Sequence, residues 1–280
     1  MRLYALAVKG YEKTNRKDTK TLSDSKNIYN FIVRNKKEEK MRFCINVDHI
    51  ATLRNARGEV QPDPVTFALM AEQFGVDGIV VHLREDRRHI NERDVRLLRE
   101  LITTKLDLEM AAVDEIIDIA CDIRPELATI VPERRQELTT EGGINVIDNI
   151  KQIKNAIDRL HEAEITVSLF IEPDINQIDA AAEINADFIE IHTGNYANAV
   201  GEEELFDELE RVRVAAKHAK KLGLGVNAGH GLNYINMKDF VAISEIDEVS
   251  IGHAVIARAV FVGLDQAIKE MRELTAKCKE

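Results

Sequence analysis

From Arg42 onward the chain repeats one unit: a short apolar run rich in β-branched residues, a polar or glycine-bearing loop, then a longer stretch with apolar residues at three-and-four spacing. The apolar runs are 43–47, 78–83, 106–110, 127–131, 166–171, 188–191, 224–227 and 248–251. The helix-like stretches are 64–74, 92–103, 113–122, 146–163, 175–184, 202–222, 237–243 and 255–275. Eight such alternations within about 240 residues predict a closed parallel barrel, because parallel strands need crossover connections and eight of these close the ring. An open doubly wound sheet built for a dinucleotide would carry a Gly-x-Gly-x-x-Gly turn after its first strand. Here the first run leads instead into Asn46, Asp48, His49, Arg54 and Arg57. The reading is an α/β chain: a single (β/α)8 TIM barrel with additional helices over 41–280, preceded by a basic leader over 1–40.

Charge separates the two parts. Residues 1–40 hold 11 basic and 5 acidic side chains, a net of +6, whereas the remainder holds 27 basic against 44 acidic, a net of −17. An acidic body with 14 aromatic residues and no Trp is poorly suited to coating a phosphate backbone or stacking bases, so no nucleic-acid partner is expected. The leader has a short apolar patch but no apolar core followed by a small-residue cleavage site, and no window nears the roughly 18 apolar residues of a membrane span. Cys44, Cys121 and Cys278 are odd in number and form no Cys-x-x-Cys pair, which suits free thiols in a reducing compartment. A cytoplasmic protein without membrane attachment is the expectation.

In such a barrel, chemistry belongs at the C-terminal strand ends. Those ends offer Asn46, Asp48 and His49; His82, Arg84, Glu85 and Asp86; Glu109; Pro132 and Glu133; Glu172; Glu190, His192 and Thr193; Asn227 through Gly231; and Gly252 with His253. Six of the eight histidines fall there, whereas His161 and His218 lie on long polar helices and read as solvated. Glu109 stands among Leu106, Leu108 and Met110, where a carboxylate is either a desolvated general base or half of an ion pair, for instance with Arg84. His82, within an apolar run, has the same two readings. His192 is either functional or a core histidine holding Glu190 or Thr193, and Cys44 reads as a small core residue.

The glycine-bearing turns 228–231 and 252–254 follow the seventh and eighth runs, where barrels often hold a phosphate on bare N–H groups and a helix start. The 84–89 segment is either a solvated charged loop or, with Arg54 and Arg57, the cationic lining that a phosphorylated ligand needs in an acidic body. No lysine stands at the C-terminal end of a run, which argues against a Schiff base to the enzyme. Two alternatives stay open: a metal-dependent barrel hydrolase or lyase using His82, Glu109, His192 and His230, and a non-catalytic sensor of a phosphorylated ligand.

Seven segments in order carry a resemblance. They are Asn46-Val-Asp48-His49-Ile-Ala-Thr-Leu-Arg54-Asn-Ala-Arg57-Gly, Val81-His82-Leu-Arg84-Glu-Asp-Arg-Arg-His89-Ile, Leu108-Glu109-Met-Ala, Val131-Pro-Glu133 with Thr139-Thr-Glu-Gly-Gly, Phe188-Ile-Glu190-Ile-His192-Thr-Gly, Asn227-Ala-Gly-His230-Gly231-Leu and Ile251-Gly252-His253-Ala. From Arg42 to the last helix the chain resembles the pyridoxine 5′-phosphate synthase family; the leader before Met41 has no counterpart in that pattern. The resemblance implies condensation of 3-amino-2-oxopropyl phosphate with 1-deoxy-D-xylulose 5-phosphate to give pyridoxine 5′-phosphate, inorganic phosphate and water. It implies no cofactor and no metal, a homo-octamer, and phosphorylated small molecules as partners. Carried over by motif, His82 and Glu109 are proton acceptors, His230 a proton donor, and Glu190 a stabiliser of developing positive charge. Asn46, His230, Gly231, Gly252 and His253 contact the amino ketone phosphate. Asp48, His49, Arg57, Arg84, His89 and Thr139 hold the sugar phosphate.

Overall fold

A computed structural model describes residues 41–133 and 142–276. The chain divides into two units, Met1–Glu39 and Lys40–Glu280, and the described residues belong to the second. Its strands are β1 (Arg42–Asn46), β2 (Gly78–His82), β3 (Lys105–Met110), β4 (Leu127–Ile130), β5 (Thr166–Ile171), β6 (Phe188–His192), β7 (Gly225–Gly229) and β8 (Glu248–Ile251). Each pairs in parallel with the next, and β8 returns to β1 through Arg42↔Glu248 and Ile45↔Ile251, closing the barrel. This is the (β/α)8 architecture that the alternation predicts.

The helices are α1 (Asp48–Arg57), α2 (Pro64–Gln73), α3 (Glu92–Leu101), α4 (Asp114–Ile123), α5 (Ile150–Glu162), α6 (Ile175–Glu183), α7 (Gly194–Asn198), α8 (Glu202–Lys221), α9 (Met237–Phe240), α10 (His253–Val262) and α11 (Leu264–Thr275). Local chemistry explains their starts. Asp63 caps α2 by accepting from the Val65 and Thr66 amides, with Pro64 at the first helical position. Asn91 and Asp94 form a reciprocal capping box at α3.

Period-2 alternation sorts each strand into two faces. Phe43, Ile45, Ile79, Val81, Leu106, Leu108, Ile189, Ile191, Val226 and Ala228 join the apolar layer shared with the helices. The other face points into the barrel, as contacts between non-adjacent strands show: Lys105 on β3 pairs with Glu248 on β8, and Asn46 on β1 reaches Glu109 on β3. TIM-barrel interiors are usually filled by branched apolar residues. This one is filled by Lys105, Asp107, Thr129, Ser168, Glu190, Asn227 and Glu248, all buried.

Candidate active site

The polar interior has a floor and a mouth. At the floor, burial pushes Glu248 up, but the charges of Lys105 and Arg42 outweigh it and hold the carboxyl at about 2. Arg42 Nε lies 3.1 Å from Glu248 Oε2, and Lys105 Nζ lies 3.7 Å from Asp107 Oδ2. Burial pushes Asp107 up to about 6, and the Thr129 hydroxyl donates to its Oδ1 at 2.8 Å. Lys105 therefore starts β3 and is spent on carboxylates at the end of the barrel opposite the mouth.

One side of the mouth is built on β1, β2 and β3. Asn46 Nδ2 bridges Asp48 Oδ2 (3.0 Å) and Glu109 Oε2 (3.4 Å), and Asn46 Oδ1 accepts the Asp48 amide at 2.9 Å. Asp48 Oδ1 takes the His82 backbone N–H at 2.9 Å, so the first turn of α1 fixes the end of β2. The His82 ring meets two carboxylates: Nε2 lies 2.8 Å from Glu133 Oε1 and Nδ1 lies 3.9 Å from Glu109 Oε2. Glu109 does not pair with Arg84, whose Nε instead donates to Asp86 Oδ1 at 3.3 Å. Glu109, its side chain 16 % exposed, is pushed well above the usual carboxylate range by burial and by the negative charges of Glu190, Asp48 and Asp107. Half-buried His89 lies beside the His82 ring, centroids 6.1 Å apart; its Nδ1 accepts the Ile90 amide, which leaves Nε2 to donate.

The other side is built on β5 to β8. Burial, then the charges of Asp107 and Glu248, push Glu190 up to about 8. A Cβ on Gly229 would sit 2.2 Å from Glu190 Oε1, so glycine there leaves the carboxyl its present position against β7. His192 holds neither Glu190 nor Thr193: its Nδ1 meets Glu172 Oε1 at 2.7 Å, while its buried Nε2 has no partner among the described residues. His192 and His230 are 5.0 Å apart by ring centroid. Burial and His192 lower the His230 imidazole below its ordinary value, and Glu172 partly opposes them. The His230–Gly231 turn has φ of 76° and 83°, and Thr193 Oγ1 braces it at 2.7 Å from Gly229 O and 2.6 Å from His230 O. Gly252 precedes α10; a Cβ there would lie 3.0 Å from Asn46 O and 3.2 Å from His49 Nδ1. His49 and His253 face each other across it, centroids 5.2 Å apart. The six rim histidines thus form three neighbouring pairs.

Asn46, Asp48, His49, His82, Arg84, His89, Glu109, Glu190, His230, Gly231, Gly252 and His253 all lie at this C-terminal end of the barrel. Arg57 is exposed at the far end of α1, nine residues and roughly 13 Å of helix rise beyond Asp48. Thr139 lies outside the described residues. Arg54 is not part of a phosphate lining: its guanidinium is buried and bidentate on Asp94 (2.9 and 2.8 Å), and it also donates to His89 O at 3.0 Å. Its charge is neutralised, and its work is to anchor the 84–89 loop on α3. His161 and His218 are half-buried and paired rather than solvated, with Asp187 at 2.8 Å and Asp179 at 2.6 Å. Cys44 is buried, as expected, whereas Cys278 lies outside the described residues. Asp48, His82 and Glu109 bring potential ligand atoms within 4.8 Å of one another, but the two carboxylates are already engaged by Asn46 Nδ2 and, for Asp48, by the His82 backbone N–H, and the group carries no assignment to a metal. In the sequence Glu172 is marked only by its place on the rim, and Glu133 by that and by the Val131-Pro-Glu133 segment, with no role for either. The floor went unread although Lys105, Asp107 and Glu109 alternate along one strand, the period that would place them on a single face.

A barrel whose mouth collects shifted carboxylates and paired imidazoles is a TIM-barrel enzyme equipped for proton transfer. Comparison with known proteins narrows the class. The chain belongs to the PdxJ pyridoxal phosphate biosynthesis family, whose sequence pattern matches residues 43–277. It is 57% identical over 234 residues to the pyridoxine 5′-phosphate synthase of Chlorobium phaeobacteroides, covering 84% of this chain and 99% of that one. It is 55% identical over 230 residues to the synthase of the same name from Geobacter sulfurreducens, covering 82% and 96%. Among solved structures, thiamine phosphate pyrophosphorylase from Pyrococcus furiosus superposes with a TM-score of 0.56 at 15% identity, covering 86% of this chain and 98% of that one, a likeness of fold alone.

Proposed function

We propose that residues 41–280 form a pyridoxine 5′-phosphate synthase unit that condenses 3-amino-2-oxopropyl phosphate with 1-deoxy-D-xylulose 5-phosphate, releasing inorganic phosphate and water. The observation that carries this reading is the gathering of displaced carboxylates and imidazoles at one mouth: raised Glu109 beside His82 on one side, lowered His230 beside His192 on the other, and raised Glu190 against Gly229. Such a set serves a reaction made of successive proton transfers. The amine of one substrate condenses with the ketone of the other, so the enzyme supplies no lysine, in keeping with Lys105 being committed to Glu248.

In this reading Glu109 and His82 remove protons from the joined intermediate, and His230 protonates leaving oxygens. Glu190 is mostly neutral near pH 7 before substrate binds; an iminium forming beside it would draw off its proton and be stabilised by the carboxylate left behind. The amino ketone phosphate would meet Asn46, the Gly231 turn and the first N–H groups of α10 at Gly252 and His253, where the helix dipole favours an anion. The sugar phosphate would lie against Arg84, His89, Asp48 and His49, with Arg57 and Thr139 assigned by family resemblance. The same resemblance makes the protein a homo-octamer. The exposed apolar side chains of α10 give that assembly a contact surface.

The test is to mix the purified protein with both phosphorylated substrates, without added metal. Pyridoxine 5′-phosphate and free phosphate should form, and Glu109→Gln should form neither while keeping the wild-type circular dichroism. Absence of product from the wild type would remove the synthase reading; wild-type turnover in the variant would remove Glu109 as a base.

A further inference from the structure

The two carboxylates beside His82 are displaced in opposite directions. Glu133 is 4 % exposed at its side chain and uses Oε1 for His82 Nε2 at 2.8 Å and Oε2 for the Glu85 amide at 3.0 Å. Burial pushes the Glu133 carboxyl up, but the His82 contact, the Glu85 amide and the charge of Arg84 outweigh it and hold the group below the usual range. Glu109, on the Nδ1 side, is pushed the other way. An ionised carboxylate only accepts hydrogen bonds, so the short Glu133 contact requires a proton on His82 Nε2. In the neutral ring the lone pair is then on Nδ1, which is the nitrogen turned toward Glu109 and the barrel interior. Asp48 fixes the His82 main chain but does not decide which ring nitrogen is protonated.

We propose that Glu133 is a positioning residue that locks His82 in the Nε2–H tautomer, so that Nδ1 is the atom that accepts the substrate proton. This inference rests on reading His82 as a proton acceptor. It assigns a role to a carboxylate 51 residues away in sequence, on the loop after β4. When Nδ1 takes a proton the ring becomes an imidazolium, and the same carboxylate stabilises that charge without itself being protonated, as in other carboxylate–imidazole pairs. The competing role is that of a staple, in which Glu133 merely ties the end of β4 to the loop after β2 through the Glu85 amide.

Glu133→Gln separates the two. Its carbonyl can still accept the Glu85 amide, so a staple survives, but the NH2 left facing His82 donates to Nε2 and drives the ring proton to Nδ1. The expected result is a fall in kcat of about 100-fold, the lower end of the range for losing a general base, with KM for both substrates little changed. Glu133→Asp, which keeps the charge, should recover part of that loss. Nitrogen-15 NMR of the histidine-labelled full chain, assigned with His82→Asn, should show the His82 proton on Nε2 in the wild type and on Nδ1 in Glu133→Gln. Wild-type kcat in Glu133→Gln, a loss confined to KM, or a wild-type His82 proton on Nδ1 would each overturn the proposal; the last decides it even if the glutamine variant does not fold. If His82→Asn turns over normally, the reading of His82 as acceptor fails and the proposal goes with it. If His82→Asn is inactive while Glu133→Gln is not, only the positioning role is lost.

Discussion

Glu109 and His230 are displaced in opposite directions, and the two displacements together shape the pH behaviour. A base works ionised, and burial with three neighbouring negative charges delays ionisation of Glu109 to higher pH. A donor works protonated, and burial with His192 beside it makes His230 lose its proton at lower pH. With Glu109 as the proposed base and His230 as the proposed donor, the pH range in which one is ionised and the other still protonated is narrowed from both sides. Glu172 is the charge that opposes the lowering of His230. Glu172→Gln should lower His230 further and so move the limb of kcat/KM that follows His230 to lower pH. A pH–rate profile in which no limb moves to lower pH would break the link between His230 and the proton it is proposed to donate. Among these residues, His82 and Glu109 were legible because burying a polar side chain inside an apolar run costs free energy that packing alone does not return. Their partners were not. Glu172 meets His192 across 20 residues and Arg54 meets Asp94 across 40, and nothing local in the sequence distinguishes an arginine kept for a phosphate from one consumed by an aspartate.

At the scale of elements, the strands were legible nearly to their ends, since runs buried on both faces read as continuous apolar segments. Helix α1 was not recognised, and its composition shows why. Its buried face is Asp48, Ile50, Ala51 and Arg54, so half of what faces inward is charged and the apolar period is hidden. The closing stretch, read as one helix over 255–275, is two, because Gly263 at φ 84° ends α10 and turns the chain into α11. The break leaves α10 with Val255 as its one buried residue and with Val260 and Phe261 76 % and 84 % exposed. An apolar helix so uncovered is suited to burial against a second subunit. Phe261→Asp should sediment as a smaller species than the wild type while retaining its helical circular dichroism. Unchanged sedimentation would exclude this face of α10 as a contact between subunits.

For the whole molecule, the polar barrel interior makes stability depend on pH in two opposing ways. Glu248 is held at about 2, below the ordinary 4.5 of a glutamate, so its contribution is present above 4.5 and disappears as pH falls toward 2. Glu190 behaves in the reverse sense: it stays protonated in the fold up to about 8, while the unfolded chain releases the proton from 4.5 upward. Stability is thus lost as pH rises between those values. A neutral isostere escapes that penalty. Glu190→Gln should resist urea better than the wild type at pH 7 to 8, with the advantage shrinking as pH approaches 4.5, even though the variant loses the carboxylate assigned to stabilising charge. Equal gaps between the two proteins across that whole range would mean that Glu190 ionises in the barrel as readily as in water. A gap that opens with pH would locate at this one side chain a conflict between stability and the reaction that the rest of the barrel has to outweigh.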